Sequence, residues 1–369
     1  EMLRSLVGSE MCIETGIPHS LGSHSLTPPV QWSVNTSVGV QYHLSPHTSI
    51  YLEPTVNYYI PDGSTLRTVR KEHPFTFTVP VGVRFRGKNH IFVQSFGLLL
   101  IIVVEIKNKK KDAERHTHRE RYFEEQAETS RNYYIPYIRR IVGQLPDRVL
   151  EVGCGEGGNL LPFAESGIRV VGVDIASSRI RQAEAFFKKK NQEGRFLVSD
   201  ILGPDAIGDR FPLLLLHDVI EHIEDKKLFL SVLKNYLSPD GVIFVGFPAW
   251  QMPFGGHQQI ARSKLISHFP FIHLLPASLY RKLLKRCGEQ EATITELLEI
   301  KRTGCTVERF ESLARQTGYH VVHRELYFLN PHYKVKFGLP PLKLHRLIAA
   351  LPFLRNFFST SCLYILSLK

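Results

Sequence analysis

The chain has 369 residues, of which 43% are hydrophobic and 22% are charged. This length allows two domains, and the composition is that of a globular protein, which excludes a disordered chain. The net charge of +11 favours anionic substrates or a membrane surface and indicates no particular fold. The five cysteines contain no C-x-x-C pair and no repeated spacing, which argues against a disulfide framework and a structural zinc site.

Residues 32–85 alternate apolar and polar side chains in the manner of β-strands. The three runs with this pattern are residues 38–42, 50–56 and 79–85. Between the last two runs, Pro-Asp-Gly-Ser at 61–64 predicts a turn. Strands of about ten residues with aromatic side chains near their ends are typical of outer-membrane β-barrels. Residues 38–85 therefore resemble the final strands of a bacterial outer-membrane barrel.

Residues 88–115 match neither a barrel nor an enzyme. The apolar run at 96–104 is far shorter than the ~20 residues that a membrane-spanning helix needs, and a lysine-rich run follows it at 107–111. We interpret this segment as a linker, with a short basic-flanked anchor as the less favoured alternative. We expect a fusion of a barrel remnant, residues 1–87, with an enzyme, residues 116–369. The chain opens on Glu1 without a signal peptide or the earlier strands that a closed barrel requires.

The most informative stretch is residues 149–161, which predicts a buried strand, a glycine turn and a helix start. A second apolar run then ends in Asp174. Gly153, Gly155 and Gly157 let the backbone approach a ligand, because a Cβ there would collide with it. The Asp174 carboxylate can accept hydrogen bonds from both ribose hydroxyls, and helix capping is its alternative role. The pattern indicates a nucleotide-type cofactor site at the carboxyl ends of parallel strands.

Glycine spacing alone leaves the cofactor open, because Gly158 also completes the dinucleotide pattern G-x-G-x-x-G. Glu151, at the end of the first strand, would repel a pyrophosphate and attract an ammonium or a sulfonium. The chain continues with Phe196-Leu-Val-Ser-Asp-Ile201, Leu213-Leu-Leu-Leu-His-Asp-Val-Ile-Glu-His222 and Leu237-Ser-Pro-Asp-Gly-Val-Ile-Phe-Val-Gly246. This series resembles the class I S-adenosylmethionine (SAM)-dependent methyltransferases, especially the small-molecule group that includes quinone-biosynthesis methyltransferases. The resemblance covers about residues 117–369.

From residue 148 onward, apolar runs alternate with helical segments, which predicts an α/β fold with a doubly wound sheet. Parallel strands buried on both faces are predicted at 149–152, 170–173, 196–198, 213–216 and 242–245. Helices are predicted at 177–190 and 226–237. By the resemblance, residues 320–328 and 361–368 form the final antiparallel pair of a seven-stranded, Rossmann-like methyltransferase sheet. A short β-hairpin-rich segment precedes this sheet.

The resemblance also implies which residues contact SAM. Asp200 would bind the adenine amino group with Ile201 beside the ring, and Glu151 would orient the methionine moiety directly or through water. His217 or Asp218 would line the pocket of the methyl donor. The remaining expected contacts are Cys154 in the glycine turn, Ile175 after the second strand, and Tyr134 in an N-terminal helix that covers the cofactor. Ordinary packing against the sheet is the alternative for Tyr134, and we assign Cys154 no chemical role.

Transfer of a sulfonium methyl group requires mainly alignment of the acceptor and exclusion of water. A general base is needed only when the nucleophile is protonated, and histidine is the natural candidate. We nominate His257, in an aromatic and glycine-rich stretch after the fifth strand, with His222 second. The alternatives are a solvated loop histidine at 257 and helix capping by Glu221 and His222. No metal site is predicted.

Two insertions, residues 254–302 and 330–359, are predicted to form lids over the acceptor. The second combines apolar residues with Lys343, Arg346 and Arg355, which suits a lipid-like substrate or a peripheral contact with an anionic membrane, or else a core beneath a lid. We therefore expect a cytoplasmic enzyme that methylates a small molecule or a lipid or glycan precursor. The sequence has no basic stripe with interleaved aromatic residues, the pattern typical of proteins that bind nucleic acid, so we expect no nucleic-acid partner. The alternatives are an NAD(P)-binding oxidoreductase and a membrane-barrel protein with a passenger domain.

Overall fold

The computed structural model describes residues 119–203 and 207–368 continuously, together with seven strands in the N-terminal part of the chain. The chain divides into two units, Glu1–Asp112 and Ala113–Lys369. Within the described residues, no helix has both the length and the apolar character needed to cross a membrane.

The described strands of the N-terminal unit form an antiparallel sheet. They are β1 (Leu3–Thr15), β2 (Val30–Ser45), β3 (Thr48–Leu52), β4 (Thr55–Tyr59), β5 (Phe75–Thr78), β6 (Val81–Arg86) and β7 (Ile91–Gln94). The long strand β2 pairs with β1 along one edge and with β3 and β4 along the other. The strands that the sequence predicts over residues 32–85 are thus present, and the resemblance to a barrel stays a prediction.

Two details of the N-terminal predictions are wrong. The run at 50–56 is divided between β3 and β4. The reason lies in the sequence, because Pro54 has no N–H to donate to a strand ladder. In addition, β7 lies inside the expected linker and pairs with β6. The predicted turn at 61–64, the start of the run at 79–85 and the apolar run at 96–104 lie outside the described residues.

The described residues of the second unit form an eight-stranded sheet. Its strands are β8 (Arg148–Val152), β9 (Arg169–Asp174), β10 (Arg195–Val198), β11 (Phe211–His217), β12 (Leu237–Phe247), β13 (Tyr319–Leu329), β14 (Leu342–Lys343) and β15 (Ser361–Leu368). The order across the sheet is β10-β9-β8-β11-β12-β15-β13-β14. The first five strands are parallel, whereas β15 is antiparallel to both β12 and β13. The Rossmann-like α/β fold is confirmed.

The predicted number of seven strands is wrong by one. Strand β14 comes from the insertion at 330–359 and pairs with the end of β13. A strand of two residues has no period that a sequence pattern can reveal.

The helices of the second unit flank the sheet. They are α1 (Arg119–Thr129), α2 (Ile135–Val142), α3 (Leu161–Glu165), α4 (Ser177–Lys189), α5 (Lys226–Leu233), α6 (Lys264–His268), α7 (Ala277–Arg286), α8 (Glu291–Thr303), α9 (Val307–Gln316), α10 (His332–Phe337) and α11 (Arg346–Ala349). A π-helical segment, Ser130–Tyr134, joins α1 to α2. Helix α5 begins where the Asp225 side chain accepts a hydrogen bond from the Leu228 N–H. It ends earlier than predicted, because Leu237 pairs with Phe211 as the first residue of β12.

Both faces of the sheet are buried, as the uninterrupted apolar runs predict. On β11, Leu214 and Leu216 lie in one hydrophobic core, and Leu213 and Leu215 lie in the other. Neighbouring residues of a strand point to opposite faces, so a strand covered on both sides must be apolar throughout. The insertion at 254–302 has a smaller core of its own, around Tyr280 and Leu284.

An ion pair between the buried Arg355 and the partly buried Glu308 holds the end of the insertion at 330–359 against α9. Glu308 accepts hydrogen bonds from the Phe353 backbone N–H (3.0 Å), Arg355 Nε (2.8 Å) and Asn356 Nδ2 (2.6 Å). The Asn356 amide oxygen in turn accepts from the Val307 N–H at 2.9 Å. Arg355 is buried, which agrees with the alternative of a core beneath a lid and not with a basic residue at a membrane surface. Its charge is used within the fold.

We expect Glu308→Ala to lower the free energy of unfolding by about 3 kcal/mol, because the buried Arg355 guanidinium then keeps only weaker partners, the Glu311 carboxylate at 3.8 Å and the Ala349 carbonyl at 3.3 Å. Urea denaturation of the full chain measures the loss. Glu193→Ala, at an exposed loop position between α4 and β10, is the control and should stay within 0.5 kcal/mol of wild type, roughly the spread of surface substitutions. Equal losses in both variants would contradict a specific role for Glu308.

Candidate active site

The glycine turn after β8 is fixed to the end of β9 by backbone hydrogen bonds. The N–H groups of Gly153 and Cys154 both donate to the Val173 carbonyl, at 2.8 and 3.0 Å. Gly153, Gly155 and Gly157 have φ angles of 72°, 53° and 81°, in the left-handed region that favours glycine. A Cβ on Gly153 would also lie 2.5 Å from Val219 Cγ2. The turn therefore needs glycine for its own geometry, before any ligand is considered.

Asp174 connects this turn to the start of α4. Its Oδ2 accepts a hydrogen bond from the Gly155 N–H (2.9 Å), and its Oδ1 accepts from the Ala176 N–H (2.8 Å). Helix α4 itself has no side-chain cap, so capping does not explain the residue. Each carboxylate oxygen keeps a free lone pair for a hydroxyl donor. The next residue, Ile175, is 76% exposed, which is unusual for a large apolar side chain at a strand end.

Glu151 lies beneath the turn and is almost completely buried. Its Oε1 accepts a hydrogen bond from Asn159 Nδ2 at 2.7 Å, and within the described residues its Oε2 has no partner. Burial raises the pKa of Glu151 to about 8, the Asn159 hydrogen bond lowers it, and the charge of Asp174 raises it further. A buried carboxyl group with one unused oxygen is suited to a cationic ligand group.

The third strand ends in a side-chain turn. Asp200 is exposed, and its Oδ1 accepts a hydrogen bond from the Leu202 N–H at 2.9 Å. Ile201, which the family resemblance implies would lie beside the adenine ring, is buried in the sheet core. The apolar side chains exposed at the ends of β9 and β10 are instead Ile175, Val198 and Leu202. The sequence pattern does not reveal this, because exposure at a strand end depends on the loops around it.

Tyr134 reaches the end of the fourth strand. Its hydroxyl lies 2.7 Å from His217 Nε2, and the two rings lie 4.8 Å apart. His217 Nδ1 lies 3.3 Å from the carboxylate of Asp218. The backbone of Asp218 is in the left-handed region, with a φ of 54°. Burial and the charge of Asp218 raise the pKa of Tyr134 well above its usual range, so the phenol remains protonated. The π-helical segment that ends at Tyr134 is of a kind frequent at functional sites.

Glu221, His222 and His257 form a cluster beyond this strand. One potential ligand atom from each residue lies within 4.8 Å of the others, and the two imidazole rings are 5.1 Å apart. Glu221 is 3% exposed, and neither of its oxygens has a hydrogen-bond partner in the part of the chain that the structure describes. The next helix, α5, is capped by Asp225, so helix capping does not explain Glu221 and His222. The two nominated histidines thus lie together, beside a carboxylate.

Three polar residues near the site were not nominated from the sequence, because they belong to no recognised site motif. Glu156 is buried and pairs with Arg119 Nη1 at 3.1 Å, and Asn159 is the partner of Glu151. His332, from the insertion at 330–359, has its Nδ1 2.9 Å from Thr129 Oγ1 on α1. The contacts of Glu156 and His332 join residues 37 and 203 positions apart in the chain, so only the folded structure reveals them.

Comparison with known proteins places this site in a recognised domain type. Residues 122–288 match a family model described as "Methyltransferase domain". The ubiquinone biosynthesis O-methyltransferase of Bartonella tribocorum is 31% identical over 120 residues, which cover 31% of this chain and 49% of that protein. The enzyme of the same name from Rhizobium johnstonii is 28% identical over 170 residues, covering 46% of this chain and 66% of that protein. The chain spans about half the length of the first of these relatives.

Solved structures of methyltransferases are also similar. The plantazolicin methyltransferase BpumL in complex with SAH has 15% identity and a TM-score of 0.41, with 72% of this chain and 92% of that chain covered. The magnesium protoporphyrin IX methyltransferase from Synechocystis PCC 6803 with bound SAH has 14% identity and a TM-score of 0.40, with 66% and 84% covered. The fold assignment rests on the strand order above, and the family match lies within the residues predicted to form the methyltransferase domain.

We expect Gly153→Ala to abolish cofactor binding and to destabilise the protein by about 1–3 kcal/mol, since the new Cβ meets both a left-handed φ and the Val219 side chain. Gly143→Ala is the matched control, because Gly143 has a similar φ of 82° and nothing within 4 Å of the added atom. Calorimetric titration with S-adenosylhomocysteine and urea denaturation measure the two effects. Loss of binding in the Gly143 variant as well would refute a local effect at the turn.

Proposed function

We propose that the protein is a SAM-dependent methyltransferase that transfers a methyl group to a hydroxyl of a small acceptor by in-line displacement. The observation that carries this proposal is the buried Glu151 carboxyl with its unused oxygen, beneath a left-handed glycine turn that is held by Asp174. The family match over residues 122–288 supports the proposal.

The residues present suit SAM better than a dinucleotide. The unused oxygen of Glu151 would accept a hydrogen bond from the methionine ammonium, whereas a pyrophosphate at this place would meet a carboxyl group. Asp174 would bind the ribose, and Ile175 would cover one side of the nucleoside. Asp200 would bind the adenine amino group. When bound, SAM supplies a sulfonium methyl group that is already strongly electrophilic.

The acceptor side is built by different residues. Tyr134 and His217 hold each other at the end of β11, next to where the methyl group would lie. His222 and His257 lie beyond them, and we propose that this pair acts on the acceptor hydroxyl. The remaining rate enhancement would come from alignment and exclusion of water.

We propose that the two insertions cover the acceptor and select its class. The insertion at 330–359 exposes large apolar side chains, with Leu347 68% and Phe353 71% exposed, close in sequence to Lys343 and Arg346. This surface suits an amphipathic or lipid-like acceptor, or peripheral contact with an anionic membrane. The relatives named ubiquinone biosynthesis O-methyltransferases support an oxygen acceptor on a quinone-type precursor. The cytoplasmic location stays a prediction.

Titration of SAM, S-adenosylhomocysteine and NAD into the full-length protein tests the cofactor. We expect micromolar affinity for the first two and none for NAD. Asp174→Ala should weaken binding at least tenfold, about 1.4 kcal/mol, because the ribose loses its acceptor and the turn loses its anchor. Asp240→Ala, an exposed position in the amino-terminal part of β12, is the control and should bind normally. Binding of NAD without SAM would overturn the proposal.

Glu151 should make stability depend on pH. Because its pKa is about 8 in the fold and near 4.5 when exposed, the folded protein holds a proton that the unfolded chain releases. Wild-type stability relative to Glu151→Gln should therefore fall as the pH rises from 4.5 towards 8, by at most about 1.4 kcal/mol per unit. Urea denaturation of the cofactor-free proteins at several pH values measures this difference. A difference that is constant or rises with pH would contradict the assignment.

A further inference from the structure

We propose that His332 binds the acceptor molecule, with its Nε2 accepting a hydrogen bond from a second donor group besides the hydroxyl that receives the methyl group. This second group would be a hydroxyl or an N–H. His332 is then a specificity-determining residue of the insertion at 330–359, and Thr129 is a positioning residue that acts through it. The inference deepens the proposed function and rests on it.

The first argument is the place of His332 in the fold. It is the first residue of α10, and its backbone N–H donates to Asn330 Oδ1 at 2.9 Å. Helix α10 packs against α1, where His332 Nδ1 lies 2.9 Å from Thr129 Oγ1. Thr129 is buried, whereas His332 is partly exposed. The imidazole is therefore fixed at one nitrogen and accessible elsewhere.

The second argument is the tautomer of His332. The Thr129 hydroxyl donates its one proton to the Glu125 carbonyl at 2.8 Å, because a carbonyl oxygen can only accept. Thr129 Oγ1 must therefore accept from His332 Nδ1, which places the imidazole proton on Nδ1 and a lone pair on Nε2. Among the described residues, the hydrogen bonds of His332 are those of its backbone N–H and its Nδ1. Nε2 thus remains available as an acceptor.

The third argument is the charge state of this imidazole. Burial lowers the pKa of His332 to about 4, Lys336 and His217 lower it as well, and Glu125 and Asp218 act in the opposite direction. At neutral pH the ring is uncharged, so Nε2 keeps its lone pair. A group with such a low pKa is a poor base for a hydroxyl proton. His332 can therefore hold a donor group, but the reacting hydroxyl needs a different residue.

The fourth argument is proximity to the methyl donor. Thr129 immediately precedes the π-helical segment, and Tyr134 ends it. The hydrogen bond that closes this segment joins residues five positions apart, and a turn of this width brings side chains at that spacing to the same side of the helix. The side that contacts His217 through Tyr134 therefore also contacts His332 through Thr129. The charges of His217 and Asp218 act on His332, which agrees with this placement.

Methyl transfer to two probe acceptors tests the specificity. The full-length protein is given SAM with catechol, which has a second hydroxyl, or with phenol, which has none, and release of S-adenosylhomocysteine is measured. Asparagine keeps an N–H in the place of Nδ1 and lacks Nε2, so His332→Asn should raise the ratio of the catechol KM to the phenol KM at least tenfold. Glutamine brings an amide oxygen near the place of Nε2, so His332→Gln should raise this ratio less.

Two controls separate this role from a structural one. A residue that only joined α10 to α1 would need Nδ1 alone, so His332→Gln would then be the more damaging change and the ratio would stay constant in His332→Asn. That result would overturn the inference. Both variants should still bind S-adenosylhomocysteine, which shows that they fold. His320→Asn, at an exposed position on β13, should leave the ratio unchanged.

Nuclear magnetic resonance of the protein with nitrogen-15-labelled histidine tests the tautomer, and the His332→Asn spectrum identifies the signals. We expect the proton on Nδ1 at neutral pH. Thr129→Ser should keep this tautomer, whereas Thr129→Val removes the hydroxyl that fixes it and should let the proton move to Nε2. A wild-type His332 with its proton on Nε2 would overturn the inference.

The same spectra separate failure of this inference from failure of the proposed function. In the protein with S-adenosylhomocysteine, catechol should shift the Nε2 signal of His332 because the nitrogen gains a hydrogen bond. This shift without methyl transfer to either probe would refute the proposed function and leave the binding site standing. Methyl transfer without the shift would overturn the inference alone, and the absence of both would overturn both.

Discussion

The carboxylate of Asp174 is the contact on which the cofactor edge depends. One side chain receives the N–H of Gly155 from the turn after β8 and the N–H of Ala176 at the start of α4. It therefore fixes the turn after β8 and the start of α4, which follows β9, relative to each other. The left-handed glycines make the turn possible, and this carboxylate decides where the turn lies relative to β9. Every group that we assign to the nucleoside is positioned from that point.

Acidic groups lie along the carboxyl ends of the parallel strands, although the chain as a whole has a net charge of +11. Glu151 lies in the last part of β8, Asp174 ends β9, and Glu221 follows β11. Glu151 and Glu221 are both buried and under-used as hydrogen-bond acceptors within the described residues. Burying a carboxylate in this way lowers stability unless a cation compensates for it. At Glu151 the proposed ligand supplies such a cation, the methionine ammonium of SAM.

The sequence predicts those parts of the fold that are determined by local patterns. The parallel strands are uninterrupted apolar runs because both of their faces are buried, and the glycine turn is visible because φ angles above zero require glycine. The insertions are different, because their positions depend on contacts with distant residues. Arg355 looks like a surface residue in the sequence, yet Glu308 on α9 holds it in the interior. His257 and His222 are nominated from the sequence, but their meeting beside Glu221 is not predicted, since it depends on the loop after β12 returning towards β11.

Lys226 connects the acceptor side of the site to the insertion that we propose covers it. Its buried ammonium group donates to the carbonyl of Ile223, directly after the turn with Glu221 and His222, and to the carbonyl of Thr303 at the end of α8. A lysine buried to this degree is stable only while both acceptors remain in place. The turn and the helix therefore keep a fixed spacing, and α8 cannot move away without leaving an unpaired buried charge. Because the same turn carries Glu221 and His222, a change in how the insertion packs would also alter the geometry of these two side chains. The packing of the insertion and the geometry at the strand ends are thus coupled through one side chain.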